Sequence, residues 1–154
     1  MRSVLVLMLF LVVCFGVAAW AGQFTPGAWY AGLEKPPWNP PGWVFAPVWT
    51  VLYAMMAVAG WLVWRSPGLL TLRRLALGVF AVQLALNGAW SWLFFGLHRP
   101  GLALAEIVVL WLAIVATTLF FWRVRPLAGV LLLPYLAWVS FAVALNAALW
   151  RLNA

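Results

Sequence analysis

Five long apolar runs constrain this chain more than any other feature. Ser3–Gly22, Trp43–Trp64, about Leu75 to Phe95, Gly101–Trp122 and Leu127–Trp150 hold one charged residue between them, Glu106. Each is close to the roughly 20 residues that carry an α-helix across the hydrocarbon of a bilayer. Backbone N–H and C=O groups find no water there, so a spanning segment must satisfy its own, as a helix or as part of a closed barrel. Barrel strands read as alternating segments of roughly ten residues, a pattern these runs do not have. The expected fold is all-α: one polytopic membrane domain over residues 1–154, built as a five-transmembrane-helix bundle. Composition agrees, since 68% of the residues are hydrophobic and 7% charged, against about 25% charged in soluble domains. A water-facing surface cannot be coated from that stock. Ala19-Trp20-Ala21 resembles a signal-peptide cleavage site, but the apolar stretch before it is long for a signal peptide and only Arg2 precedes it. A retained first helix is expected.

What the chain lacks narrows its chemistry. Cys14 is alone, His98 is the only histidine, and Glu34 and Glu106 are the only acidic side chains. A His triad, a paired-carboxylate site and a Ser-His-Asp triad cannot be assembled from these, and no glycine-rich phosphate loop is present. Neither a bound metal nor an obligatory cofactor is expected, and no conventional catalytic set exists. Cys14 reads as a packed thiol and His98 as an interfacial side chain.

The net charge of +7 points to topology rather than nucleic acid, because the basic residues form no patch or stripe. The N-terminus and the second and fourth loops carry Arg2, Arg65, Arg73, Arg74, Arg123 and Arg125; the other side has Lys35, Arg99 and Arg151. By the positive-inside rule the N-terminus is cytoplasmic and the C-terminus outside.

The first loop, Gln23–Gly42, differs from the other connections. It carries Pro26, Pro36, Pro37, Pro40 and Pro41 beside Trp29, Tyr30 and Trp38. Proline this dense blocks helix and sheet ladder alike, while the aromatics argue against a solvated linker. We expect a stiff lid folded on the external end of the bundle, with an interfacial aromatic belt as the plainer alternative.

Residues 43–150 place their polar and aromatic groups unevenly in depth. At 1.5 Å per residue, Trp49, Asn87, Trp90, Glu106 and Asn146 lie roughly 6–12 Å from the loop-one end of their helices, and Tyr53 and Trp138 roughly 15–18 Å. Phe45, Trp49 and Tyr53 recur every fourth residue and form one stripe. Gln83, Asn87, Trp90 and Ser91 share a face of the third helix, as do Trp138, Ala142 and Asn146 on the fifth. Stacked indoles with a few polar groups beneath a lid suit a flat hydrophobic ligand with a polar edge, such as a porphyrin or a sterol. Packing alone, with Asn87 and Asn146 joining helices, is the plainer reading of the same residues. Glu106, the one intramembrane charge, is a functional candidate by default, or else a carboxyl that is hydrated or bonded to a neighbouring helix. Ala81, Ala85 and Ala89 make a small-residue ridge, suited to internal packing or to a homodimer face.

Several motifs resemble one family. Trp29-Tyr30-Ala-Gly-Leu33-Glu-Lys35-Pro36-Pro-Trp38-Asn39-Pro40-Pro41 is followed by Trp43 and Pro47-Val-Trp49-Thr-Val-Leu-Tyr53. Gln83-Leu-Ala-Leu-Asn87, Phe94-Phe95-Gly96, Pro134-Tyr135-Leu-Ala-Trp138, Phe141-Ala142 and Leu145-Asn146 complete the pattern over about residues 28–152. The chain resembles the TspO/MBR family, the tryptophan-rich sensory and translocator proteins. That resemblance implies a five-helix bundle, usually a homodimer, in a bacterial cell membrane for a chain of this kind. It implies protoporphyrin, haem or drug-like ligands held beneath the first loop, in a sensor or transporter of porphyrin homeostasis or stress response. The implied lining is Tyr30, Trp49, Tyr53, Asn87, Trp90, Trp138, Phe141 and Ala142, with Trp38 added from the lid. Light-dependent porphyrin degradation through Trp49 and Trp138 is the alternative activity. Sterol transport is a weaker one, because Ala147 stands where the family's cholesterol motif has Tyr, although Arg151 remains.

Overall fold

The computed structural model describes all 154 residues. It is 82% helical and has no strands. Helix α1 is Arg2–Ala21, α2 the single turn Ala28–Ala31, α3 Phe45–Arg65, α4 Leu70–Ser91, α5 Pro100–Val124 and α6 Pro126–Asn153. All but α2 are long and apolar enough to cross a membrane.

The helix ends follow local chemistry. Pro100 and Pro126 open α5 and α6, where a missing N–H costs nothing and a fixed φ is already helical. A 3₁₀ turn, Gly42–Val44, leads from Pro41 into α3. At the opposite end of α3 the Ser66 hydroxyl donates to the Leu62 carbonyl at 2.7 Å, and Arg73 Nη1 donates to the Ser66 carbonyl at 2.8 Å. Gly68, at φ 127°, supplies the left-handed residue that this tight connection requires. Helix α6 runs unbroken through Pro134.

The five long helices close a ring in the order α1, α3, α6, α5, α4, with α4 packing back on α1. Met56, Val63, Phe80, Ile114, Phe121, Leu132 and Tyr135 fill its centre. Small residues let the helices approach, as expected where lipid supplies no hydrophobic drive between them. A Cβ at Gly60 would stand 2.6 Å from the Phe10 ring, and one at Gly129 2.7 Å from Trp122. Helix α1 is also tied to α3 by Trp61 Nε1, which donates to the Ser3 carbonyl at 2.9 Å. The outward faces, Val4, Leu5 and Val12 among them, remain exposed and apolar, which suits contact with lipid chains.

Two expectations need correction. The third membrane helix begins at Leu70, not about residue 75, because Arg73 and Arg74 belong to its first turns. Hydropathy finds the apolar span and is blind to the charged helical turn that precedes it. The first loop is also not free of helix: Ala28–Ala31 forms one turn, lying in the proline-free stretch between Pro26 and Pro36. With the π-helical turn Trp92–Gly96 that follows α4 counted as part of that span, the other expected ends shift by three residues or fewer.

Candidate functional site

At the loop-one end the ring does not close on itself. A cavity of about 870 Å³ opens there, walled by all five long helices and roofed by the first loop. That volume is within the roughly 300–1,000 Å³ typical of small-molecule sites.

Each wall follows from helical spacing. The α3 stripe places Phe45, Trp49 and Tyr53 on the cavity, with Trp49 and Tyr53 ring centroids 5.6 Å apart. From α6 come Trp138, Phe141, Ala142, Leu145 and Asn146. Trp138 meets Phe45 edge-on at 5.8 Å and lies tilted by 39° against Phe141 at 5.6 Å. Helix α4 ends in a π-helical turn, Trp92–Gly96, closed by the Leu97 N–H on the Trp92 carbonyl at 2.8 Å. The wider turn brings Phe94 and Phe95 onto the same wall as Trp90, which stacks on Phe94 at 5.1 Å and 23°. Such turns recur at functional positions in helices.

Beneath the aromatic walls lies a continuous polar chain. The Tyr53 hydroxyl donates to Asn87 Oδ1. Asn87 Nδ2 donates to the Tyr135 hydroxyl at 2.8 Å, and that hydroxyl donates to Gln83 Oε1 at 2.8 Å. The Gln83 amide ends on Met56 Sδ at 3.8 Å. One chain thus joins α3, α4 and α6, and its members are all buried. A second pair closes the loop-one side: Trp90 Nε1 donates to Asn146 Oδ1 at 3.0 Å, and Asn146 Nδ2 to the Pro100 carbonyl at 2.8 Å. Both amides are satisfied within the protein, so a ligand meets finished walls. The indole N–H groups of Trp61, Trp90 and Trp111 are also bonded. Those of Trp49 and Trp138 make no hydrogen bond within the chain.

The loop is held down at several points. Asn153, the last residue of α6, accepts from the Glu34 N–H at 2.8 Å and donates to the Glu34 carbonyl at 2.9 Å. Trp29 stacks on His98 at 4.4 Å and 15°, with His98 at φ 56° in the turn between α4 and α5. The Tyr30 hydroxyl donates to Asn39 Oδ1 at 3.2 Å, and its ring packs on Phe95 at 5.5 Å. Burial raises the Tyr30 phenol above its ordinary 10.0 and the bond to Asn39 pulls it part of the way back, so it remains a neutral donor at neutral pH.

Eight of the nine expected site residues line the cavity: Tyr30, Trp49, Tyr53, Asn87, Trp90, Trp138, Phe141 and Ala142. Trp38 does not. It is 46% exposed and covers Phe141 edge-on at 5.8 Å from outside. Sequence reasoning passed over Tyr135, although it lies one helical turn before Trp138. It also treated Lys35, which is on the cavity wall, only as a loop charge. Glu106 is off that wall; both its carboxyl oxygens are shielded and hydrogen-bond no other group of the chain, so it is not bridged to a neighbouring helix. His98 is exposed and faces Trp29 rather than the cavity, and Cys14 is a buried free thiol.

Fold and cavity together define a class: a five-helix integral membrane protein with an aromatic chamber under a proline-rich loop. Residues 8–151 match the TspO/MBR family, and the chain belongs to it. The human translocator protein (Homo sapiens) is 47% identical over 81% of this chain and 75% of its own length. The tryptophan-rich protein TspO of Chlorobaculum tepidum is 43% identical over 99% of this chain and 98% of its own. Protein CrtK of Rhodobacter capsulatus is 42% identical over 94% and 90%.

Proposed function

We propose that this protein binds tetrapyrroles, protoporphyrin or haem, in the chamber beneath the first loop, and acts as a sensor or transporter in porphyrin homeostasis or stress response. The observation that carries this reading is the chamber itself: about 870 Å³, walled by Trp49, Trp90, Trp138, Phe45, Phe94 and Phe141. A flat conjugated ligand gains there both apolar burial and offset or edge contacts with the rings. The buried amides beneath are already satisfied, so the apolar ring body displaces none of their partners. The indole N–H groups of Trp49 and Trp138 are left to meet its polar edge. The reading places the protein in a bacterial cell membrane as a homodimer, with the N-terminus cytoplasmic and the C-terminus outside.

Fluorescence titration of the purified protein with protoporphyrin and haem tests the reading. Saturable quenching with one ligand per chain is the expected result, and linear, non-saturating quenching would overturn it. A second activity has its own support, since Trp49 and Trp138 border one chamber. An excited porphyrin held there can pass an electron to or from an indole, with dioxygen as the final oxidant. Illumination of the complex should then bleach the porphyrin, and Trp49→Phe with Trp138→Phe should stop the bleaching while binding persists. Unchanged porphyrin after illumination of the wild type removes this second activity and leaves binding in place.

A further inference from the structure

We propose that Lys35 is an anion-binding residue of the chamber, which thereby selects flat hydrophobic ligands that carry a carboxylate. The inference rests on the ligand-binding reading above and names the residue that meets the carboxylates which protoporphyrin and haem both carry. Lys35 is the only charged side chain on the cavity wall. Its ammonium donates to the carbonyls of Ala31 at 3.1 Å and Leu33 at 2.9 Å and lies 4.9 Å from the centre of the Tyr30 ring. An ammonium has three donors, so one is unused.

The usual partner of a half-buried lysine is a carboxylate, and the chain provides none here. Its hydrogen bonds go to carbonyls alone. Glu34 next to it is exposed, and the Glu106 carboxyl is shielded without a partner. The two carbonyls and the Tyr30 ring hold the ammonium in place and neutralise none of its charge. Every other wall of the chamber is uncharged. A carboxylate carried into that apolar space without a counter-charge would lose its hydration uncompensated. One seated at Lys35 gains a charge-assisted hydrogen bond. The ring body then lies inward among the indoles and the acid group stays under the loop. A single free donor matches one carboxylate; a phosphate ester would leave most of its oxygens unmet.

The test compares wild type, Lys35→Met and Lys35→Arg in detergent by quenching titration. The probes are protoporphyrin, its dimethyl ester, 1-pyrenebutyrate and methyl 1-pyrenebutyrate. Lys35→Met should weaken both free acids about tenfold and leave both esters unchanged, and Lys35→Arg should restore the acids. Equal weakening of acid and ester would overturn the proposal, because it marks a lysine that only braces the loop through its carbonyl bonds. Unchanged acid affinity in Lys35→Met would overturn it too, while leaving tetrapyrrole binding intact. Conversely, a wild type that discriminates the pyrene pair through Lys35 but binds no porphyrin upholds the anion site and refutes the tetrapyrrole reading.

Discussion

Tyr135 is the residue on which the chamber floor depends. Its hydroxyl accepts from Asn87 and donates to Gln83, each at 2.8 Å, whereas the Tyr53 hydroxyl makes one bond, to Asn87. Tyr135→Phe strands a donor and an acceptor where no water reaches. The cost is about 1–3 kcal/mol by the usual price of stranded polar groups, with membrane-protein pairs at the low end. Thermal unfolding in detergent should therefore show a larger loss for Tyr135→Phe than for Tyr53→Phe. Equal losses would mean that the chain is not cooperative. Asn87 was legible in the sequence because an amide inside a membrane span needs a reason. Tyr135 was not, since a tyrosine beside tryptophans reads as one more aromatic until its hydroxyl is seen to have two partners. Lys35 was hidden by its location, because a lysine in a loop is first taken as a mark of topology.

At the scale of elements, the first loop is pinned over the chamber at several points. Asn153 clasps both backbone groups of Glu34, as a neighbouring strand would. Asn153→Ala removes both bonds without touching the chamber. It should accelerate amide exchange at Glu34 and raise the association and dissociation rates of protoporphyrin together, in stopped-flow quenching. Rates equal to wild type would mean that the loop is held by its aromatic contacts alone. Trp38→Ala uncovers Phe141 and should weaken ligand binding severalfold with helical content unchanged by circular dichroism. Affinity equal to wild type would make Trp38 an interfacial anchor and nothing more. Proline density showed that this loop was unusual. It did not show what holds the loop, because the clasp joins residues 119 positions apart in the chain, a pairing no local pattern encodes. The π-helical turn of α4 escaped notice for a related reason: one extra residue per turn leaves the apolar pattern of Trp92–Gly96 unchanged.

The whole molecule was the most legible level, because bilayer thickness sets helix length and five apolar runs therefore set five helices. The same physics leaves orientation to a surplus of arginines on one side. The lone cysteine, Cys14, is buried, which offers a quiet background for labelling. In intact cells, Gln23→Cys should react with an impermeant maleimide and Gly68→Cys should not; the reverse would invert the topology. Ala81 and Ala85 are exposed on α4 while Ala89 is half-buried, so two of the three ridge positions are not taken up by internal packing. Ala85→Cys should cross-link two copies in the membrane if the proposed homodimer uses that ridge, and an absence of cross-linking would remove the ridge as its interface.

The thirteen tryptophans divide by place, and that division gives the most direct test of the chamber. Trp49, Trp90 and Trp138 line it, Trp61 and Trp111 are bonded away from it, and Trp43, at 75% exposure, and Trp150 stand outside. Indole N–H resonances of the ¹⁵N-labelled protein, followed during titration with protoporphyrin, read each of them separately. Ligand in the chamber predicts large, saturable shifts for Trp49, Trp90 and Trp138, with Trp61, Trp111 and Trp122 unmoved. Shifts confined to Trp43, Trp122 and Trp150, or spread evenly over all thirteen, would place the porphyrin on the surface of the bundle and contradict the account.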